Sequence, residues 1–167
     1  YTSVAEALAS ITTASSTNPY LVWVAPGIYE ETANALVPAH VHLQGSGPGI
    51  TRIVANRYDT FPNNANASVV QLVNHSRLSD LTVENTGTTQ NSSAIYVSPG
   101  ATRMTTINNV EARVTGAGGT VHVAITLLES AATIRDSRFI ASGAATFNQG
   151  LSSYVPNTAT EPESAEI

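Results

Sequence analysis

Two acids and an amide recur at one position of this chain: Asp80, Asn109 and Asp136, separated by 29 and 27 residues. Carboxylates brought together in this way could work as a general acid and base, one protonated and one ionised. The plainer chemistry of an Asp-Asn-Asp column is an inward structural ladder, in which the amide donates to a carboxylate and keeps like charges apart. His40 and His42 stand two apart on one expected strand and could face the same way. No third ligand stands at metal spacing, so no metal is expected. His75 and His122 read as turn residues. Glu31 and Asp59 are the other carboxylates that an enzyme could recruit here, and no residue is assigned a catalytic role.

Composition narrows the chemistry further. The chain has 167 residues, no cysteine, and seven basic side chains that are all Arg. Thiolate metal sites, Cys nucleophiles, Schiff-base lysines and a P-loop lysine are thereby excluded. A net charge of −5 with only 11% charged residues leaves no electrostatic footprint for nucleic acid. No stretch approaches the roughly 18 uninterrupted apolar residues of a membrane span, so no membrane insertion is expected. Length suits one domain, and the chain opens at Tyr1, as after processing or within a longer parent.

The elements that must position these residues are mostly strands. Ser3-Val-Ala-Glu6 reads as a capping box, and Val4, Ala7, Leu8 and Ile11 follow at helical spacing, predicting one helix over about residues 4–12. After it come short β-branched runs at 21–24, 40–43, 50–55, 69–73, 81–84, 94–97, 110–114, 123–128 and 137–141, separated by Gly, Pro, Asn and Ser. Segments 78–87, 107–116 and 134–143 superimpose without gaps. A second column runs through Val70-Gln-Leu72, Ile95-Tyr-Val97, Ile125-Thr-Leu127 and Leu151-Ser-Ser153. Self-similarity near 27 residues with several strands per repeat predicts an all-β solenoid of four to five coils, a right-handed parallel β-helix behind an N-terminal capping helix. Leucine-rich repeats would need a Leu/Asn consensus that is missing, and a sandwich would not repeat in register. Residues 1–20 form the cap of this single domain, 21–155 the coils, and 156–167 a ragged end or the start of another coil. Stacking also places Glu84 over Arg113 and Glu111 over Arg138 as cross-strand ion pairs.

Here the sequence resembles the pectin-lyase-like superfamily of right-handed parallel β-helices. The likeness runs through Leu21-Val-Trp-Val-Ala-Pro-Gly-Ile-Tyr-Glu-Glu31 and Val41-His-Leu-Gln-Gly-Ser-Gly-Pro-Gly-Ile-Thr-Arg-Ile53 and then the Asn/Asp-bearing coils. Gly27, Tyr29 and Glu31 match the G-x-Y-x-E box of pectin methylesterases, and Gln44-Gly45 resembles the turn that follows it. The repeats are similar to those of bacterial tandem-coil β-helix proteins, for which the resemblance implies an extracellular or cell-surface setting. Departures decide the activity. The D-F-x-F-G and G-R-P-W segments of the methylesterases, the G-H-G and R-I-K of polygalacturonases, and the acidic calcium cluster of pectate lyases are all missing.

In pectin-degrading relatives the groove lies over one long sheet, so the outward residues of that sheet are the place to look. Strand alternation predicts an outward stripe of Trp23, His42, Gln71, Tyr96, Thr126 and Ser152, without Asp, Glu, Lys or Arg. Sugar hydrolysis needs at least one positioned carboxylate, so the stripe argues for saccharide contact through aromatic stacking and hydrogen bonds. The loop 58–67 interrupts the coil pattern, and Tyr58, Asp59, Asn63 and Asn64 make it a candidate binding loop. Asn66, Asn74 and Asn91 head glycosylation sequons. Glu163-Ser-Ala-Glu-Ile167 resembles the start of a further coil, and a solenoid that stops without a polar cap implies a longer chain, a disordered tail, or a second molecule on the last coil. The expectation is a non-catalytic extracellular scaffold, adhesin-like or filament-forming, in contact with polysaccharide and without cofactors. A carbohydrate-active enzyme of the pectin-esterase or lyase type is the first alternative, and a carbohydrate-binding module the second.

Overall fold

A computed structural model describes residues 1–61 and 63–154 of the chain. One short helix, α1 (Val4–Ala9), precedes thirteen strands that wind into a parallel β-solenoid of about five turns. The first coil is β1 (Tyr20–Trp23), β2 (Gly27–Glu30) and β3 (Ala35–Val37). The second is β4 (Val41–Gln44), β5 (Thr51–Ala55) and β6 (Ser68–Leu72). The third and fourth each carry a long and a shorter strand, β7 (Arg77–Asn85) with β8 (Asn91–Val97), then β9 (Thr106–Val114) with β10 (Val121–Leu128). The fifth holds β11 (Thr133–Arg135), β12 (Arg138–Ala141) and β13 (Phe147–Tyr154).

Every pairing between these strands is parallel, and the register is the one the repeats demand. Leu78 lies beside Ile107 and Ile107 beside Ile134, while Ile95 lies beside Ile125 and Ile125 beside Leu151. Like side chains therefore stack about 4.8 Å apart in the interior, and Leu43, Leu78, Ile107 and Ile134 form one fully buried file. The strands fall into two sheets. The first contains β1, β2, β4, β5, β7, β9, β11 and β12 and is bent along its length, and the second contains β3, β6, β8, β10 and β13.

The bend explains the polar column. Asp80, Asn109 and Asp136 have φ values of 57°, 51° and 49°, the left-handed region that Asp and Asn tolerate better than most residues. These three positions turn the chain between the halves of the first sheet. The ladder is therefore not inward as expected: Asp80 and Asn109 are half-buried, and Asp136 is exposed. Asn85, by contrast, is one of the polar residues that is fully buried. Its amide donates to the carbonyls of Ala67 (2.8 Å) and Ser93 (2.7 Å), and its oxygen accepts from the amides of Arg57 (3.0 Å) and Gly87 (2.9 Å).

The helix is shorter than the periodicity predicts. Ser10 turns its hydroxyl onto the carbonyl of Ala7 (2.7 Å), a side-chain bond that competes with continued helix. Strands β2, β3 and β11 also escape the run-based reading, being three or four residues long with Gly, Ala or Arg among them. His122 belongs to β10 rather than to a turn, is fully buried, and places Nδ1 2.7 Å from the carbonyl of Ser142. His75 is a turn residue with φ 62°. The ragged end 156–167, with the repeat at Glu163–Ile167, lies outside the described residues.

Candidate functional site

Strand alternation turns two rows of side chains outward from the N-terminal half of the first sheet. One row is Leu21, His42, Arg77, Thr106 and Thr133, and the other is Trp23, Gln44, Ser79, Asn108 and Arg135. Both aromatic and cationic groups are thus on one face, with Trp23 61% and Leu21 59% exposed. The expected stripe is corrected here in two ways. It is not a single row, because Trp23 and His42 lie on this sheet while Gln71, Tyr96, Thr126 and Ser152 lie beside one another on the second. Nor is this face free of charge, because Arg77 follows His42 in the same row.

The second sheet offers little for a ligand to touch at the expected positions. Tyr96 is 6% and Thr126 0% exposed. Thr126 shares a hydroxyl contact with Ser93 at 3.2 Å, and Gln71 donates to Ser98 at 2.8 Å. Burial and the neighbouring Glu129 both push the Tyr96 phenol above its ordinary range.

Four side chains on the first sheet are joined through Asp80. Its carboxylate accepts from Asn109 (2.8 Å), Ser79 (2.9 Å) and Gln44 (3.0 Å). The Asn109 bond, helped by Ser79, Gln44 and His42, holds the carboxyl below its usual range against some desolvation. Ser79 spends its hydrogen on Asp80, so His42 Nε2, 2.8 Å from the same hydroxyl, is its donor. Burial, then Arg77, lowers the His42 pKa, with Asp80 opposing. The arrangement favours a neutral imidazole next to a well-solvated carboxylate. It orders the face rather than priming a nucleophile, because the serine donates to the acid instead of to the base.

Beside this network, where the chain turns from the second sheet into the first, lies a groove of about 500 Å³ lined by Tyr20, His40, His42, His75, Arg77 and Met104. His40 and His75 both have φ near 60° and stack with ring centroids 5.1 Å apart. No group of three or more His, Cys, Asp or Glu placed to hold a metal exists among the described residues.

The other expected positions are engaged locally. Glu31 is 6% exposed and caps α1: Oε1 accepts from the Val4 amide (2.6 Å), and Oε2 from the Ser3 hydroxyl (2.6 Å) and the Ala5 amide (3.4 Å). In the loop, the Asp59 backbone pairs with Asn91 in both directions, and its carboxylate accepts from the Phe61 amide at 3.2 Å. Asn64 accepts from the Asn66 amide at 3.0 Å, while Asn63 is half-buried and Tyr58 exposed. Among the sequons, Asn91 donates to the carbonyls of Asp59 and Thr60, Asn74 accepts from Thr102, and Asn66 is exposed. Gln44, Arg77 and Ser79 were not singled out by sequence. The signal was available, since alternation about the ladder residue Leu78 turns Arg77 and Ser79 outward together.

The fold is a parallel β-helix, and this polar, aromatic-edged face lies on its first sheet. Among the solved structures it is similar to are pectin methylesterases. One, a variant in complex with a hexasaccharide, aligns over 99% of this chain and 55% of its own at 16% identity and a TM-score of 0.57. Another hexasaccharide complex aligns over the same shares at 17% identity and 0.55. The enzyme PemA from Erwinia chrysanthemi aligns over 79% of this chain and 45% of its own at 16% identity and 0.52. This chain thus spans about half the length of those enzymes. No family model matches it, and neither does any curated protein. No helix among the described residues is long and apolar enough to cross a membrane.

Proposed function

We propose that the chain acts as one extracellular or surface-borne β-helix domain that holds a polysaccharide along the outer face of its first sheet without cleaving it. The observation that carries this reading is exposed Trp23 at the edge of the row that holds half-buried Gln44 and exposed Asn108, an apolar plate beside amide groups suited to a sugar ring. The carboxylates an enzyme would need there are committed elsewhere: Asp80 to three donors, Glu31 to the helix cap. The likeness to methylesterases in complex with hexasaccharides supports a saccharide as the partner. Titration with pectin-derived oligosaccharides should quench Trp23 fluorescence saturably, Trp23→Ala should remove the binding, and methylated pectin should yield no methanol. Methanol release would replace this reading with the second one, a pectin-type esterase, which the same structural likeness favours.

End-to-end association through the last coil is the assembly form of the scaffold reading. On β13 it is supported by exposed Phe147 and Tyr154 and by pairing with β10 alone among the described residues. Light scattering over a concentration series should then show growth beyond the monomer mass, and a constant monomer mass would remove it.

A further inference from the structure

The groove between Tyr20 and Met104 gathers one guanidinium and three imidazoles. Arg77 is exposed and ion-paired with no carboxylate among the described residues, and three imidazoles, those of His40, His42 and His75, line the same wall. No acidic side chain among the described residues lines the groove. A guanidinium with its donors free is a preformed fork for an oxyanion, and protonated imidazoles add charge-assisted donors. The His40 and His75 rings stack with centroids 5.1 Å apart on the groove wall.

We propose that this groove is an oxyanion-binding site, taking a sulfate, phosphate or carboxylate group through Arg77 and the imidazoles of His40, His42 and His75, more tightly as pH falls. The charged and titratable groups facing it are few. Tyr20, from β1, bonds Thr13 (2.7 Å) and Asn18 (3.4 Å), which lower its phenol pKa without bringing a charge into the groove at neutral pH. Asp80 sits behind His42, separated by Ser79, and its ionised carboxylate raises the His42 pKa against burial and Arg77. Arg103 precedes Met104 in the adjoining turn and is not among the residues lining the groove. Burial and Arg77 keep His42 neutral in the free protein, so an anion that masks Arg77 must raise the His42 pKa. Binding and imidazole protonation are then linked in the same direction. The site stands whether or not Trp23 contacts a sugar.

The test is to titrate inorganic sulfate, inorganic phosphate and acetate separately into the protein, with chloride holding ionic strength constant. The imidazole resonances are followed by NMR at about pH 5.5 and about pH 7.5, on either side of the ordinary His range. Saturable shifts confined to His40, His42 and His75, an upward move of the His42 midpoint, and affinity about tenfold weaker at the higher pH support the site. The order of the three anions tells which group it takes. Arg77→Gln, an exposed substitution, should weaken binding at least about tenfold with an unchanged thermal melt. His75→Gln should flatten the pH dependence, and Trp23→Ala should leave anion binding intact while abolishing saccharide binding. Shifts that chloride alone reproduces, equal shifts at buried His122, or binding indifferent to Arg77→Gln would each overturn the proposal.

Discussion

Asp80 owes its character to its neighbours. Three donors converge on it, and the folded chain holds it ionised below the ordinary carboxylate range, with the Asn109 amide the largest cause. A group with a depressed folded pKa stabilises the fold above its unfolded value, about 4, and that stability is lost as pH falls through the folded one. Asn109→Ala should therefore raise the Asp80 midpoint, read from its carboxyl carbon by NMR, shift acid unfolding to higher pH, and cost about 1 kcal/mol at neutral pH. Asn85 is a harsher case because it is fully buried and satisfies four backbone groups. Asn85→Leu leaves those groups unpaired in the interior and should cost about 3 kcal/mol or more in denaturant unfolding. The repeat alignment found the Asp80 column but gave Asn85 no role. Which polar residue faces inward depends on where the left-handed turns fall, and those are set by the stacked coils.

At the scale of elements, the termini and corners decide more than strand propensity does. Helix α1 is anchored by Glu31, a residue 27 positions beyond Val4. Glu31→Gln removes a charged acceptor from two backbone amides and should lower stability by about 1–2 kcal/mol, read in a thermal melt, without altering strand content by circular dichroism. The N-cap was legible at Ser3, whose hydroxyl accepts from the Glu6 amide at 3.2 Å. The carboxylate completing the cap was not, because it comes from the next coil edge. Corners have the opposite logic, since they demand the absence of a side chain. A methyl group on Gly116 would sit 1.8 Å from the carbonyl oxygen of Gly87, and one on Gly143 2.3 Å from that of Gly116. Gly116→Ala should force the coils apart there and destabilise by about 3 kcal/mol, visible as a lower denaturant midpoint. This glycine column was present in the aligned repeats, where it closes each ten-residue unit.

Across the whole molecule, each coil contacts only its neighbours, so stability is distributed along the axis. The outer half of the first sheet adds a file of charges: Arg52 with Glu84, Arg113 within 3.8 Å of Glu84 and 3.1 Å of Glu111, and Arg138 3.5 Å from Glu111. These partly exposed pairs contribute a few tenths of a kcal/mol each and weaken with salt. The pairing of Glu84 with Arg113 and Glu111 with Arg138 was readable from the repeat offset. Burial falls toward the last coil, where β12 and β13 are half-buried or exposed while β8 is buried throughout. Amide hydrogen exchange should accordingly be slowest in β7, β8 and β9 and fastest in β12 and β13, and uniform protection would contradict a neighbour-only stack.

By itself the sequence determined the coil period, the strand register, the buried files and the outward ion pairs, because stacking like on like writes each contact twice along the chain. Only the tertiary structure decided which rows share a face. Trp23 and His42 separate from Gln71, Tyr96 and Thr126 because the coil bends between sheets, and a period along the chain carries no record of the angle between its faces. Stacking of the second coil on the third brings Arg77 into the row of His42, and His40 onto His75, from segments more than thirty residues apart. A face assembled across coils is a property of winding, and left-handed turns at a handful of residues set that winding.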